Sequence, residues 1–213
     1  MTRIWRYVLA YDGGHAPCVD DGVLTLCICK PRIRLRADVG DWVIGYMPKR
    51  QGIGRVAWAG RVSDAPTMGD YAARFMGRRD VIYRRVGWFP DGREKLLHYG
   101  GTIHKSAADQ ARDLHGQRAL IFDPFWYWGG AAPVAPQHIS DLAHYYVGES
   151  SKGSSPLATR RLQRWLTGWS AGIHGEPKDG EILCAGSRSR AGGAGARCPT
   201  TKCTTSRRRR AAC

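Results

Sequence analysis

An α+β fold with peripheral helices is predicted for residues 1–182 of this 213-residue chain, followed by a basic tail. Three observations predict it. Short alternating runs rich in Val, Ile, Trp and Tyr recur up to position 63 and return at 118–122, each bounded by Gly, Pro or Asp. Later windows carry apolar residues at helical spacing behind a capping residue. No run of about 18 apolar residues occurs, so neither a membrane span nor a secretory signal is indicated, and a cytoplasmic protein is expected.

Taken in order, strands over 5–11 and 22–29 flank the loop Asp12-Gly13-Gly14-His15-Ala16-Pro17. After Cys29, the residues Lys30, Arg32, Arg34 and Arg36 alternate with Pro31, Ile33 and Leu35. As an extended segment this would put four cations on one face over about 20 Å, a reach suited to consecutive phosphates. A solvated edge strand has the same pattern. Strands over 41–45 and 53–63 follow, joined by a basic connection containing Lys49.

Met68, Tyr71, Ala72, Phe75 and Met76 fall on one helical face behind Thr67, a capping residue. Residues 78–101 are polar and Gly-rich and read as an irregular insertion with a hairpin. Ser106 caps a helix over 107–115 that Gly116 ends, and a strand returns over 118–122. The run Phe125, Trp126, Tyr127 and Trp128 supplies four aromatics that are hard to bury completely, so they are stacking candidates. Pro156 suits a first helical position, and Leu162, Trp165, Leu166 and Trp169 make a packing stripe. Residues 183–213 have no apolar period and are expected to be disordered.

The formal charge is +15, from 33 Lys and Arg against 18 acids. The tail carries eight of those cations and no acid, which leaves +7 on the body, so an anionic partner is expected, nucleic acid first. Seven cysteines without an export signal point to reduced thiols. Cys27-x-Cys29 is too close for the common zinc spacing, so no metal site is expected, and both cysteines read as small buried hydrophobes. No phosphate loop, dinucleotide turn, zinc-deaminase motif or nucleophile elbow appears, so no cofactor is indicated.

Four ordered phrases carry a resemblance: Tyr11-Asp12-x-Gly14-x-Ala16-Pro17, Cys29-Lys30-Pro31-x-Ile33-Arg34, Val39-Gly40-Asp41-Trp42-Val43-Ile44-Gly45 and Phe125-x-Tyr127-Trp128-Gly129-Gly130. Together with a closing Gly172-Ile173-His174-Gly175-Glu176-Pro177, the chain resembles the second nucleotide-modification-associated domain family. The resemblance implies a place in a DNA base-modification or phage-defence system, with DNA and base-modifying enzymes as partners. The third phrase and the strand after it are also similar to pseudouridine-synthase-associated (PUA-like) modules, which implies a small, mostly antiparallel β-barrel.

The leading expectation is a non-catalytic module that recognises a modified nucleotide. Tyr11, Phe125 and Tyr127 would stack on an extruded base and Asp12 would hydrogen-bond it. Lys30, Arg32, Arg34 and Lys49 would meet phosphates. The alternatives are an enzyme on a nucleotide or base, with Asp12 and His15 as acid and base, and an adaptor that binds protein.

Overall fold

The computed structural model describes residues 2–99, 103–143 and 148–179, so the expected disordered tail lies outside the described residues. In chain order these form β1 (Ile4–Val8), β2 (Cys18–Asp20), β3 (Val23–Leu26), α1 (Pro31–Arg36), β4 (Trp42–Tyr46), β5 (Val56–Asp64), α2 (Met68–Arg74), β6 (Tyr83–Trp88), β7 (Glu94–His98), α3 (Ala107–His115), β8 (Leu120–Tyr127), α4 (Gln137–Ser140), α5 (Pro156–Leu166) and β9 (Gly172–Ile173). The predicted caps Thr67 and Ser106 each accept a bond from the backbone N–H three residues on, Pro156 opens α5 as expected, and Ser155 before it caps that helix in the same way.

Seven strands make one sheet in the order β1-β4-β5-β8-β3-β2, with β9 beside β8. The β1–β4 and β8–β9 pairs are parallel and the others antiparallel. Among the described residues the sheet is open: β1 and β2 stand at opposite ends and do not pair, so the expected closed barrel is not formed. The α+β class and the mostly antiparallel pairing stand. The β6–β7 hairpin is a separate two-stranded ribbon.

The central strand explains the aromatic run. Alternation along the end of β8 sends Phe125 and Tyr127 into a core with Trp5, Tyr7 and Trp58, and Phe122 joins them across an irregularity in the β5–β8 register. It sends Trp126 and Trp128 to the opposite face, against Ile4, Trp42, Leu162 and Leu166. Both faces are covered, so all four aromatics are buried. Leu162 and Leu166 each contribute roughly 2 kcal/mol by that burial. Close approach fixes Gly45 in the same way: a Cβ there would lie 2.2 Å from Nε1 of Trp58, which donates to the Tyr7 hydroxyl at 3.0 Å.

The basic alternation after Cys29 folds differently from the extended reading. Pro31 sits at the start of α1, where its fixed φ and missing N–H cost nothing. In the helix Ile33 and Arg34 turn inward, while Arg32 and Arg36 face solvent. No four-cation ladder exists, because helical rather than strand periodicity distributes these side chains.

Candidate active site

Between β3 and α1 the chain turns through Cys29 (φ 56°) and Lys30 (φ 42°), two successive non-glycine residues in the left-handed region. That conformation is costly for L residues and persists only where the surroundings enforce it. Here the enforcement is visible. The Cys29 backbone N–H donates to Asp113 Oδ1 at 2.7 Å, and its carbonyl accepts from Arg34 Nε at 2.7 Å. The Arg34 guanidinium also donates to the carbonyls of Arg118 and Asp113, so one buried arginine ties the Cys29 turn to the end of α3. A Cβ on Gly116 would lie 2.3 Å from the Arg34 Cζ, which explains the glycine that ends α3.

The turn brings the Cys29 Sγ to 3.5 Å from Nε2 of His104, itself at φ 52°. His104 Nδ1 lies 2.5 Å from Asp113 Oδ2, which also accepts from the Tyr83 hydroxyl at 3.1 Å. Asp113 is fully buried on α3 and takes three donors: the Cys29 N–H, the His104 ring and the Tyr83 hydroxyl. With Nδ1–H donating to the Asp113 oxygen, Nε2 presents its lone pair to the thiol. Thiol, imidazole and carboxylate thus stand in the order nucleophile, base and orienting acid.

These three side chains offer ligand atoms within 4.8 Å of one another, an arrangement that could also hold a metal ion. The hydrogen bonding favours the first use. Both oxygens of Asp113 are already occupied by donors, one of them the imidazole that a metal would share with it. The other two described cysteines differ from Cys29. Burial pushes the Cys18 thiol up to about 12 and that of Cys27 well above the ordinary range, so both stay protonated.

Cys29 and His104 lie on the wall of a cavity of about 240 Å³, below the ~300–1,000 Å³ typical of sites for drug-sized ligands. It suits one base or a small substituent. Tyr11 and Lys30 also line it, as do His15, Asp109 and Arg112. Tyr11 is about half exposed; its ring occupies the space a Cβ on Gly13 would need, and its hydroxyl donates to the Asp179 carbonyl at 3.2 Å. The Lys30 ammonium lies 4.6 Å from the Tyr7 ring centroid. Burial, and then Arg79, holds His15 below its ordinary 6.5, so at neutral pH it is uncharged.

The residues expected from sequence divide accordingly. Tyr11 and Lys30 are at the cavity. Asp12 is not among its lining residues: it is buried, and both carboxylate oxygens accept from the Tyr127 hydroxyl at 2.9 and 3.0 Å. Burial raises the Asp12 carboxyl while that hydroxyl opposes the rise. The pair is a clasp for the closing segment, because the Asp12 backbone exchanges bonds with Asp179 and Gly130 N donates to the Glu176 carbonyl. Phe125 and Tyr127 are buried and present no ring face to a base. Arg34 is fully buried and positions the Cys29 turn, so it is not a phosphate contact, while Arg32 and Lys49 are exposed.

His104 and Asp113 were not singled out by sequence reasoning. They lie 75 and 84 residues from Cys29, and only the fold joins them. The one local signal was a cysteine directly after a buried strand and before Lys-Pro.

No curated protein and no solved structure matches the chain. The family model for nucleotide modification associated domain 2 matches it over residues 1–105 and 73–183, which span nearly all of the described structure. The cavity, the Cys29 turn and the clasp at Asp12 all fall inside those matches, and the chain belongs to the nucleotide modification associated domain 2 family.

Proposed function

We propose that this chain is a thiol-dependent acyl-transfer enzyme of a nucleotide-modification system, with an acylated base amine as the group acted on. The observation that carries the reading is the Cys29–His104–Asp113 relay at the wall of a base-sized cavity. The family's association with nucleotide modification supports a nucleotide as the kind of substrate. The described residues contain no helix long and apolar enough to cross a membrane.

The chemistry follows from the geometry. Cys29 Sγ attacks the acyl carbonyl carbon, an S–C bond forms, and His104 Nε2 takes the thiol proton. The carbonyl π electrons move onto oxygen, where the nearby cations Lys30 and Arg112 favour the developing charge. Collapse breaks the bond to the base nitrogen, which leaves with the proton from His104. Water, deprotonated by His104, then attacks the thioester and releases a carboxylic acid and the restored thiol. Asp113 keeps the imidazole in the required tautomer throughout.

The test is incubation with an oligonucleotide carrying N4-acetylcytosine, read by mass. Wild type should remove the acetyl group, and Cys29→Ser should be at least about a thousandfold slower. An unchanged oligonucleotide bound equally by wild type and Cys29→Ser would favour recognition without turnover, with Tyr11 as the stacking ring. Stoichiometric zinc in the purified protein, lost together with function on chelation, would favour a metal centre instead.

A further inference from the structure

We propose that the outer face of the β6–β7 hairpin is a docking surface for single-stranded nucleic acid, which delivers its target base to the Cys29 cavity. The docking step is independent of catalysis; the delivery step rests on the function proposed above. The hairpin leaves Val86, Phe89, Leu97 and Tyr99 exposed, an apolar ribbon that nothing in the fold covers among the described residues. Each aromatic ring on it carries a cation. Arg84 lies 5.5 Å from the Tyr99 centroid, and Arg93 and Lys95 lie 5.4 and 5.2 Å from that of Phe89.

Strand alternation places Lys95 and Leu97 on one side, and the Tyr99 N–H, which donates to the Ile82 carbonyl, extends that side to Tyr99. Lys95 and Tyr99 are thus about 13 Å apart along the ribbon. On the opposite side Glu94 accepts from Thr67, Gly69 and Arg85, and Trp88, also exposed, has the Arg85 guanidinium 4.8 Å from its ring centroid. The other acid of the hairpin, Asp91, is bonded to Arg93 at the turn. Rings flanked by cations match a polymer of flat bases and anionic phosphates. Only an unpaired strand exposes base faces to such rings, which selects single strand over duplex.

The ribbon's root also meets the relay. Tyr83, the first residue of β6, donates to Asp113, and its ring packs edge-on against His98 at 5.3 Å. A His98 ring nitrogen lies 3.2 Å from the carbonyl of Ile103, a cavity residue. The inner side of the ribbon's root thus touches the relay, and a strand lying on Phe89 and Tyr99 would run along the outer side toward that same end.

The experiment is fluorescence anisotropy with a labelled oligothymidylate of about 16 nucleotides, alone and as a duplex. Phe89→Ala and Tyr99→Ala, both exposed and compatible with folding, should each weaken single-strand binding about tenfold. Arg84→Ala should lower the salt slope by about 0.7. Cys29→Ser should bind as wild type does. Equal affinity of the aromatic variants and wild type, preference for the duplex, or no binding by wild type would each overturn the docking surface. Tight binding through the hairpin with an inert Cys29 would keep the surface and sink only the catalytic reading. Hairpin variants should still deacylate N4-acetyldeoxycytidine as a monomer.

Discussion

Asp80 and Asp113 are both fully buried, both accept a bond from a tyrosine hydroxyl and both lie beside a buried arginine. Only one of them belongs to the candidate site. Around Asp80, Tyr71 bonds both carboxylate oxygens at 2.9 Å, Thr25 adds a bond at 2.6 Å, and Arg78 stands 3.6 Å away. Every partner there is another framework group, and none of these residues lines a cavity described above. Around Asp113 the partners include an imidazole that reaches a thiol, and that thiol, though buried, belongs to the wall of the cavity. A buried, satisfied carboxylate marks stability by default; a reactive atom on strained backbone at a cavity wall marks chemistry.

That contrast is best broken by matched substitutions. Asp113→Asn should cost the most, lowering turnover roughly 10³–10⁴-fold because the imidazole loses its enforced tautomer, while the protein still folds. Asp80→Ala should do the reverse. Leaving Arg78 and Tyr71 without their buried acceptor should cost about 3–5 kcal/mol in urea unfolding, with turnover per folded molecule unchanged. If Asp80→Ala lost turnover without stability, the division between the two clusters would be wrong.

Gly116→Ala probes the link between framework and site. Its Cβ would press on a guanidinium held by three carbonyls, so we expect a loss of about 1–3 kcal/mol in the same unfolding measurement, together with slower turnover. The smallest effect should come from His15. Its folded pKa is held below 6.5, so the unfolded chain binds more protons. The stability it contributes is present above 6.5 and is lost as pH falls through the folded value. His15→Gln should flatten that loss in thermal melts taken on either side of pH 6.5, and an unchanged profile would show that folding does not perturb His15.

The sequence was legible where one local rule acted alone. Thr67, Ser106 and Pro156 marked three helix starts because capping depends only on neighbouring residues. It misled where two periods competed: over six residues the alternation after Cys29 imitates a strand, and Pro31 at a helical first position was the deciding signal. The aromatic run was expected to keep an open face because helices covering both sides of β8 come from distant parts of the chain. Tyr11 and Lys30, singled out by their glycine loop and their motif, do line the cavity. The relay was not, since His104 reaches Cys29 only through the packing of α3 and the root of the hairpin.

The central claim is that Cys29 is a nucleophile made reactive by His104 and Asp113. Limited alkylation with iodoacetamide under native conditions, mapped by peptide mass, tests it directly. All three described cysteines are buried, but only Cys29 lines the cavity, so the account predicts that Cys29 is labelled while Cys18 and Cys27 are not, and that His104→Ala and Asp113→Asn each slow Cys29 labelling at least about tenfold. Labelling of Cys29 no faster than that of Cys27, or at the same rate in both variants as in wild type, would contradict it.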